Sequence, residues 1–169
     1  MKTKSTVVAL MMAIFCFGLL VVAFYLEFVS NLIPCALCLA QRIVFAIIGI
    51  SCLLYLLPFY SSRLIFALTS TFSGTLGIWL ASRQLWLQSL PSEQIPPCGP
   101  DIYFIFRQFP ITESFQTMIL GTGNCAEVQW TFLNLSIPSW TLVAFVLLTL
   151  GSLWISAFRG PRPFRLFKS

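Results

Sequence analysis

Histidine is missing from this chain of 169 residues. That absence excludes a His-ligated haem, a His-ligated metal site and any catalytic triad built on imidazole. Charge is almost as scarce. Asp, Glu, Lys and Arg together make up 9% of the residues, against about 25% in an ordinary soluble domain. Apolar residues fill the gap at 58%. A soluble fold of this size cannot bury so much apolar surface, so lipid must cover part of it. The composition excludes a soluble protein with an oversized core. It predicts one integral membrane domain over residues 1–169. The net charge of +5 raises the question of an acidic partner. The placement of the charges speaks to topology instead, and no nucleic-acid partner is expected.

Four apolar runs are long enough to cross a bilayer: Thr6–Phe28, Leu39–Leu57, Leu64–Leu85 and Trp140–Phe158. Each is near the ~20 residues that a spanning helix requires. The fold class is therefore an all-α membrane protein, a bundle of four transmembrane helices. The first run is expected to stay in place. It exceeds the ~7–15 apolar residues of a signal-peptide core, and no small-x-small site follows it. The first connection, around Asn31–Pro34, is very short. The second, Pro58–Arg63, is a tight turn. The third runs from about Gln88 to Ser139 and carries Pro91, Pro96, Pro97, Pro100 and Pro110 with Gly99, Gly121 and Gly123. Such a composition predicts a long extramembrane loop with little regular structure. Within it, Ile111–Leu120 suits a short helix on the membrane surface.

An even number of spans puts both termini on one side. That side holds Lys2, Lys4, Arg63, Arg159, Arg162, Arg165 and Lys168, and no acidic residue. The other holds Glu27, Glu93, Asp101, Glu113 and Glu127, with Arg107 and, near the interface, Arg42 and Arg83. Positive residues favour the cytoplasmic face, so both termini are expected there. The short first loop and the long second loop then face outward, into the periplasm of a bacterium.

This orientation sorts the six cysteines. Cys35, Cys38, Cys98 and Cys125 fall on the outer, oxidising side, where disulfides persist. Cys16 and Cys52 fall inside spans, where a thiol packs as a small apolar group. Cys35-Ala36-Leu37-Cys38 is a C-x-x-C pair, a spacing that switches between dithiol and disulfide and commonly lowers a thiol pKa. Pro34 just before it is consistent with a helix start, whose dipole favours a thiolate in the first turn. Arg42 follows Cys38 by four positions and Cys35 by seven, so helical spacing sets all three near one face. A guanidinium there suits a thiolate or a ligand oxygen. Cys98 and Cys125 lie in the long loop, where a disulfide is open to attack by an outside thiolate.

Three blander readings compete. A zinc site would need two tight ligand knuckles, whereas Cys98 and Cys125 are 27 positions apart. An inert disulfide clip would leave Arg42 without a reason to sit at the membrane edge, although long basic side chains also serve there as anchors. A loop staple would account for Cys98 and Cys125 alone. Exchange between the two pairs accounts for all four cysteines. Electrons would enter at the loop and pass to Cys35 and Cys38. The chain offers no haem, flavin fingerprint or metal cluster to receive them. A membrane-soluble quinone takes two electrons, as a dithiol supplies, and dissolves in lipid.

Particular stretches carry a family resemblance. PCALCLAQR (34–42) resembles the P-C-x-x-C-x-x-x-R motif of the disulfide bond formation protein B (DsbB) family. GNCAEVQWTFLNLSIPSW (123–140) resembles that family's segment around its last loop cysteine, IPPCG (95–99) the setting of its other loop cysteine, and RQLWLQSLP (83–91) the end of its third span. The resemblance covers nearly the whole chain. It implies a quinone-dependent protein-dithiol oxidoreductase of the Gram-negative inner membrane that reoxidises a periplasmic thioredoxin-like, DsbA-like oxidase and supports disulfide formation in exported proteins. Ubiquinone or menaquinone would be the acceptor, with no metal and no haem. By the same resemblance, Cys98 would form the mixed disulfide with the partner and Cys125 would attack Cys35. Cys38 would contact the quinone as thiolate, and Arg42 would help bind quinone and hold that thiolate.

Two rivals remain in view. A vitamin K epoxide reductase-like enzyme also couples thiols to quinones, but that family places its C-x-x-C late in the bundle, whereas here it opens span two. A transporter or scaffold with staple disulfides would need polar groups at mid-membrane, and the four spans offer few.

Overall fold

The computed structural model describes residues 2–30, 34–56, 63–95, 123–128 and 130–157. Within them stand four long helices: α1 (Lys2–Ser30), α2 (Ala36–Leu56), α3 (Arg63–Gln88) and α4 (Ile137–Ala157). All four are long and apolar enough to cross a membrane. An α-helix satisfies its own backbone, which is what a segment in hydrocarbon must do. The expectation of an all-α, four-span membrane protein is met.

The helix ends follow local chemistry. α1 runs on past the predicted Thr6 and Phe28 because neither flank holds a proline or glycine to stop it. Pro34 precedes α2, and the first turn closes by a bond from Leu39 N to Cys35 O at 3.1 Å. α4 starts at Ile137 rather than Trp140. Pro138 sits in its first turn, where a missing N–H leaves no helical bond unmade. α3 continues to Gln88, one turn beyond the predicted Leu85.

The order of packing is α1 on α2, α2 on α3 and α3 on α4, with α1 closing lightly on α4. At one end of the bundle, Ser5 shares a hydrogen bond with Tyr55, whose ring tilts over Phe66 at 4.7 Å. In the interior, Phe45 of α2 stacks on Phe145 of α4 at 4.1 Å. Gly77 lets α3 approach that ring: a Cβ there would stand 2.4 Å from it. Outward-facing positions remain apolar, with Met11, Ile14, Val21, Leu68, Phe72 and Leu147 all more than half exposed. A surface this apolar belongs against lipid tails.

The third connection departs from expectation where it is described. Ser92–Gln94 and Gly123–Cys125 form short 3-10 turns. Thr131–Phe132 pairs antiparallel with Leu135–Ser136, in register Thr131 to Ser136 and Phe132 to Leu135. Leu133 and Asn134 turn this hairpin with φ of 53° and 61°, the left-handed pair that two-residue hairpins require. Trp130 stacks on Phe132, and the Trp140 indole donates to the Phe132 carbonyl at 3.2 Å. The hairpin thus ties the loop's end to the start of α4. The proposed surface helix at Ile111–Leu120 lies outside the described residues.

Candidate functional site

The end of the bundle opposite Ser5 and Tyr55 gathers Cys35, Cys38 and Cys125. Cys35 precedes the first turn of α2, and Cys38 lies in that turn. Their Sγ atoms are 3.0 Å apart, with the Cys35 thiol donating to Cys38. The Cys38 backbone N–H points back to the Cys35 sulfur at 3.4 Å. The pair is a dithiol poised to close, since a disulfide brings sulfurs to about 2.05 Å.

Cys125 completes a cluster. It ends the turn Gly123–Cys125, which packs on α2 and α3. Its side chain is 1% exposed, and its thiol hydrogen-bonds to Cys35. The hydrogen bond to Cys125, then that to Cys38 and burial, hold the Cys35 thiol well above the ordinary range. Cys35 therefore keeps its proton at neutral pH. Three of the four sulfurs singled out in the sequence stand together, with Cys35 bonded to both Cys125 and Cys38. The fourth, Cys98, lies outside the described residues.

Two glutamines, which the sequence reading did not single out, stand behind this cluster. Gln84 of α3 aims its Nε2 at both sulfurs, 3.2 Å from Cys38 and 3.5 Å from Cys35. Its Oε1 accepts from Gln41 Nε2 at 2.9 Å. Gln41 Oε1 in turn accepts from the Thr141 hydroxyl of α4 at 2.9 Å. Both glutamines are 3% exposed. The signal for them was two amides inside apolar helices, where a buried polar group requires partners.

Arg42 takes a different direction. Its guanidinium pairs with Glu27, donates to the Ala23 carbonyl at 3.2 Å and lies over the Phe24 ring at 5.2 Å. All three partners belong to α1. Glu27, which had no role on sequence grounds, is thus the counter-ion of Arg42. Both side chains are largely buried, at 11% and 15% exposed. The C-x-x-C pair draws its donors from α3, and the arginine takes its anion from α1.

The sequence matches the family described as Disulfide bond formation protein DsbB over residues 5–155. The chain belongs to the DsbB family. Among similar proteins, Disulfide bond formation protein B of Hahella chejuensis is 48% identical over 148 residues, covering 86% of this chain and 88% of that one. Disulfide bond formation protein B of Nitrosococcus oceani is 44% identical, covering 82% and 83%. Disulfide bond formation protein B 1 of Pseudomonas aeruginosa is 38% identical, covering 78% and 82%. The DsbB match spans all four helices and the thiol cluster.

Proposed function

We propose that the protein is a thiol:quinone oxidoreductase of the bacterial inner membrane. It reoxidises a periplasmic DsbA-like partner and passes the electrons to ubiquinone or menaquinone. The observation that carries this reading is the cluster of three sulfurs at the mouth of an apolar bundle, with Cys35 in contact with the other two, backed by membership of the DsbB family.

The net reaction is partner dithiol plus quinone to partner disulfide plus quinol, two electrons and two protons. A partner thiolate attacks Cys98 of a Cys98–Cys125 disulfide, and Cys125 leaves as thiolate. Cys125 attacks Cys35 of the Cys35–Cys38 disulfide, and Cys38 leaves as thiolate. The partner's second thiolate resolves its bond to Cys98, releasing the partner disulfide. Cys98 then recovers Cys125, Cys35 is freed, and Cys35 and Cys38 give their two electrons to the quinone as their own disulfide re-forms. Each exchange needs sulfurs in line and within reach. The contact between Cys125 and Cys35 supports the middle step.

Arg42 is proposed to bind a quinone oxygen. A guanidinium carries five N–H donors. Those given to Glu27 and Ala23 leave others for a ligand. Both termini are proposed to be cytoplasmic and the cysteine end periplasmic, on the distribution of basic residues. A trapping experiment with the partner in its disulfide form tests the division of labour: in Cys125→Ser the free Cys98 thiolate should attack the partner disulfide, release one partner thiolate and accumulate the mixed disulfide, and Cys98→Ser should not. Trapping through Cys125 alone would reverse the two roles.

A further inference from the structure

We infer that Gln84 is a catalytic residue of the thiol site, the N–H donor that carries the Cys38 sulfur through its anionic state, with Gln41 and Thr141 as the residues that aim it. This rests on the proposed reading in which Cys38 is the sulfur that leaves and then reduces the acceptor.

A glutamine amide beside a sulfur can present either its oxygen or its nitrogen. The oxygen would repel a thiolate, and the nitrogen would stabilise one. The network decides which. Gln41 donates its Nε2 to Gln84 Oε1, so Gln84 must turn Nε2 toward the sulfurs. Gln41 is itself held by the Thr141 hydroxyl, which shares its single hydrogen between Gln41 Oε1 and the Pro138 carbonyl, both at 2.9 Å. The chain therefore has a direction, from α4 through α2 and α3 to the sulfur. Each amide is buried, so no water competes for its hydrogens.

Arg42 does not substitute for this donor in the geometry observed, because its ion pair faces α1. Three N–H or S–H groups converge on Cys38 among the described residues: Gln84 Nε2, the Cys35 thiol and the Cys35 backbone N–H. When Cys35 is engaged in a disulfide with Cys125 its sulfur no longer has a hydrogen to give. Gln84 then remains as the side-chain donor to a negatively charged Cys38, beside the Cys35 backbone N–H. That is the moment at which the sulfur most needs one, since an ion at the edge of hydrocarbon is costly without a hydrogen bond.

The test uses the full chain in lipid nanodiscs, reduced, with iodoacetamide as the probe and each alkylated cysteine read by mass spectrometry. Gln84→Met keeps the volume and removes the donor. Gln84→Glu keeps the acceptor for Gln41 and turns an oxygen to the sulfur. Alkylation of Cys38 at pH 7 should fall about tenfold in Gln84→Met, equivalent to about 1.4 kcal/mol, and further in Gln84→Glu. The turnover number should fall with it while the KM for quinone stays within about twofold, the mark of a group acting on the reacting atom rather than on binding. Gln41→Met should give a smaller loss and Thr141→Val the smallest. Cys38 alkylation in both Gln84 variants equal to that of the unaltered chain would overturn the assignment. The underlying reading fails separately: if Cys38→Ser still reduces quinone, Cys38 is not the reacting sulfur, whatever Gln84 does.

Discussion

The molecule holds two buried cysteine pairs across adjoining segments, and they differ in what surrounds them. Cys16 of α1 and Cys52 of α2 are both 0% exposed. Gly49, one turn before Cys52, brings α2 against the Cys16 Cβ, where an added methyl would stand 3.3 Å away. Among the described residues no hydrogen bond reaches either sulfur. Cys35 and Cys38 receive a backbone N–H and two contacts from one amide, and Cys125 adds a third thiol. Burial alone makes a thiol an inert apolar filler. In the proposed function, polar donors at the sulfur are what fit it for exchange. Position on the same helix, α2, does not separate Cys38 from Cys52; the polar atoms delivered from α3 and from the Gly123–Cys125 turn do.

The largest effect that would sharpen this contrast is at Cys35. Cys35→Ser should abolish quinone reduction driven by a reduced partner, because both the attack by Cys125 and closure onto Cys38 need that sulfur. Residual turnover of more than a few per cent would show that electrons bypass it. Next come the residues that tie α1 to the site. Glu27→Gln leaves Arg42 in a buried setting without its anion, and losing one member of such a pair costs about 3–5 kcal/mol. Thermal unfolding in detergent should show that loss as a large drop in Tm. Arg42→Met should raise the apparent KM for quinone about tenfold, the value of one charge-assisted hydrogen bond. An unchanged KM would confine Arg42 to holding α1.

A pH profile tests the same pair from another side. The Cys35 thiol is held above its usual range, so its neutral form persists as pH rises. Alkylation of Cys35 in the reduced chain should stay slow through neutral pH and gain speed only on the alkaline side. In Cys125→Ala the largest cause of that elevation is gone, and the rise should come at lower pH. Gly77→Ala would press a methyl into the Phe145 ring; overpacking of this kind costs about 1–3 kcal/mol, with little change in the chemistry. The smallest effects belong to the inert pair. Cys16→Ala and Cys52→Ala should each leave turnover within about twofold and cost roughly 1 kcal/mol of stability.

The four helices were legible because each is a long uninterrupted apolar run, and lipid enforces that pattern without help from tertiary contacts. The cluster of Cys35, Cys38 and Cys125 was legible as residue types with few other uses on the face where the charge distribution expects an oxidising environment. Four things were not. The start of α4 at Ile137 turned on whether Pro138 stops a helix or opens one, which the run length does not reveal. The hairpin at Thr131–Ser136 depends on two consecutive left-handed residues, one of them Leu133, a type that seldom adopts that conformation. Gln84 and Gln41 are polar residues in apolar helices, visible as such, yet 43 positions apart. Only packing shows that one amide faces the other. Glu27 escaped for the same reason: its partner, Arg42, is 15 positions on and in the next helix, and helical spacing had directed that arginine toward the cysteines instead.

Quinone reduction by the Cys38→Ser protein, supplied with a reduced DsbA-like partner and a short-chain quinone, meets the central claim head on. The unaltered chain should reduce ubiquinone, menaquinone or both, and Cys38→Ser should reduce neither. Reduction continuing at the unaltered rate in Cys38→Ser would contradict the assignment of that sulfur as the place where electrons leave the protein.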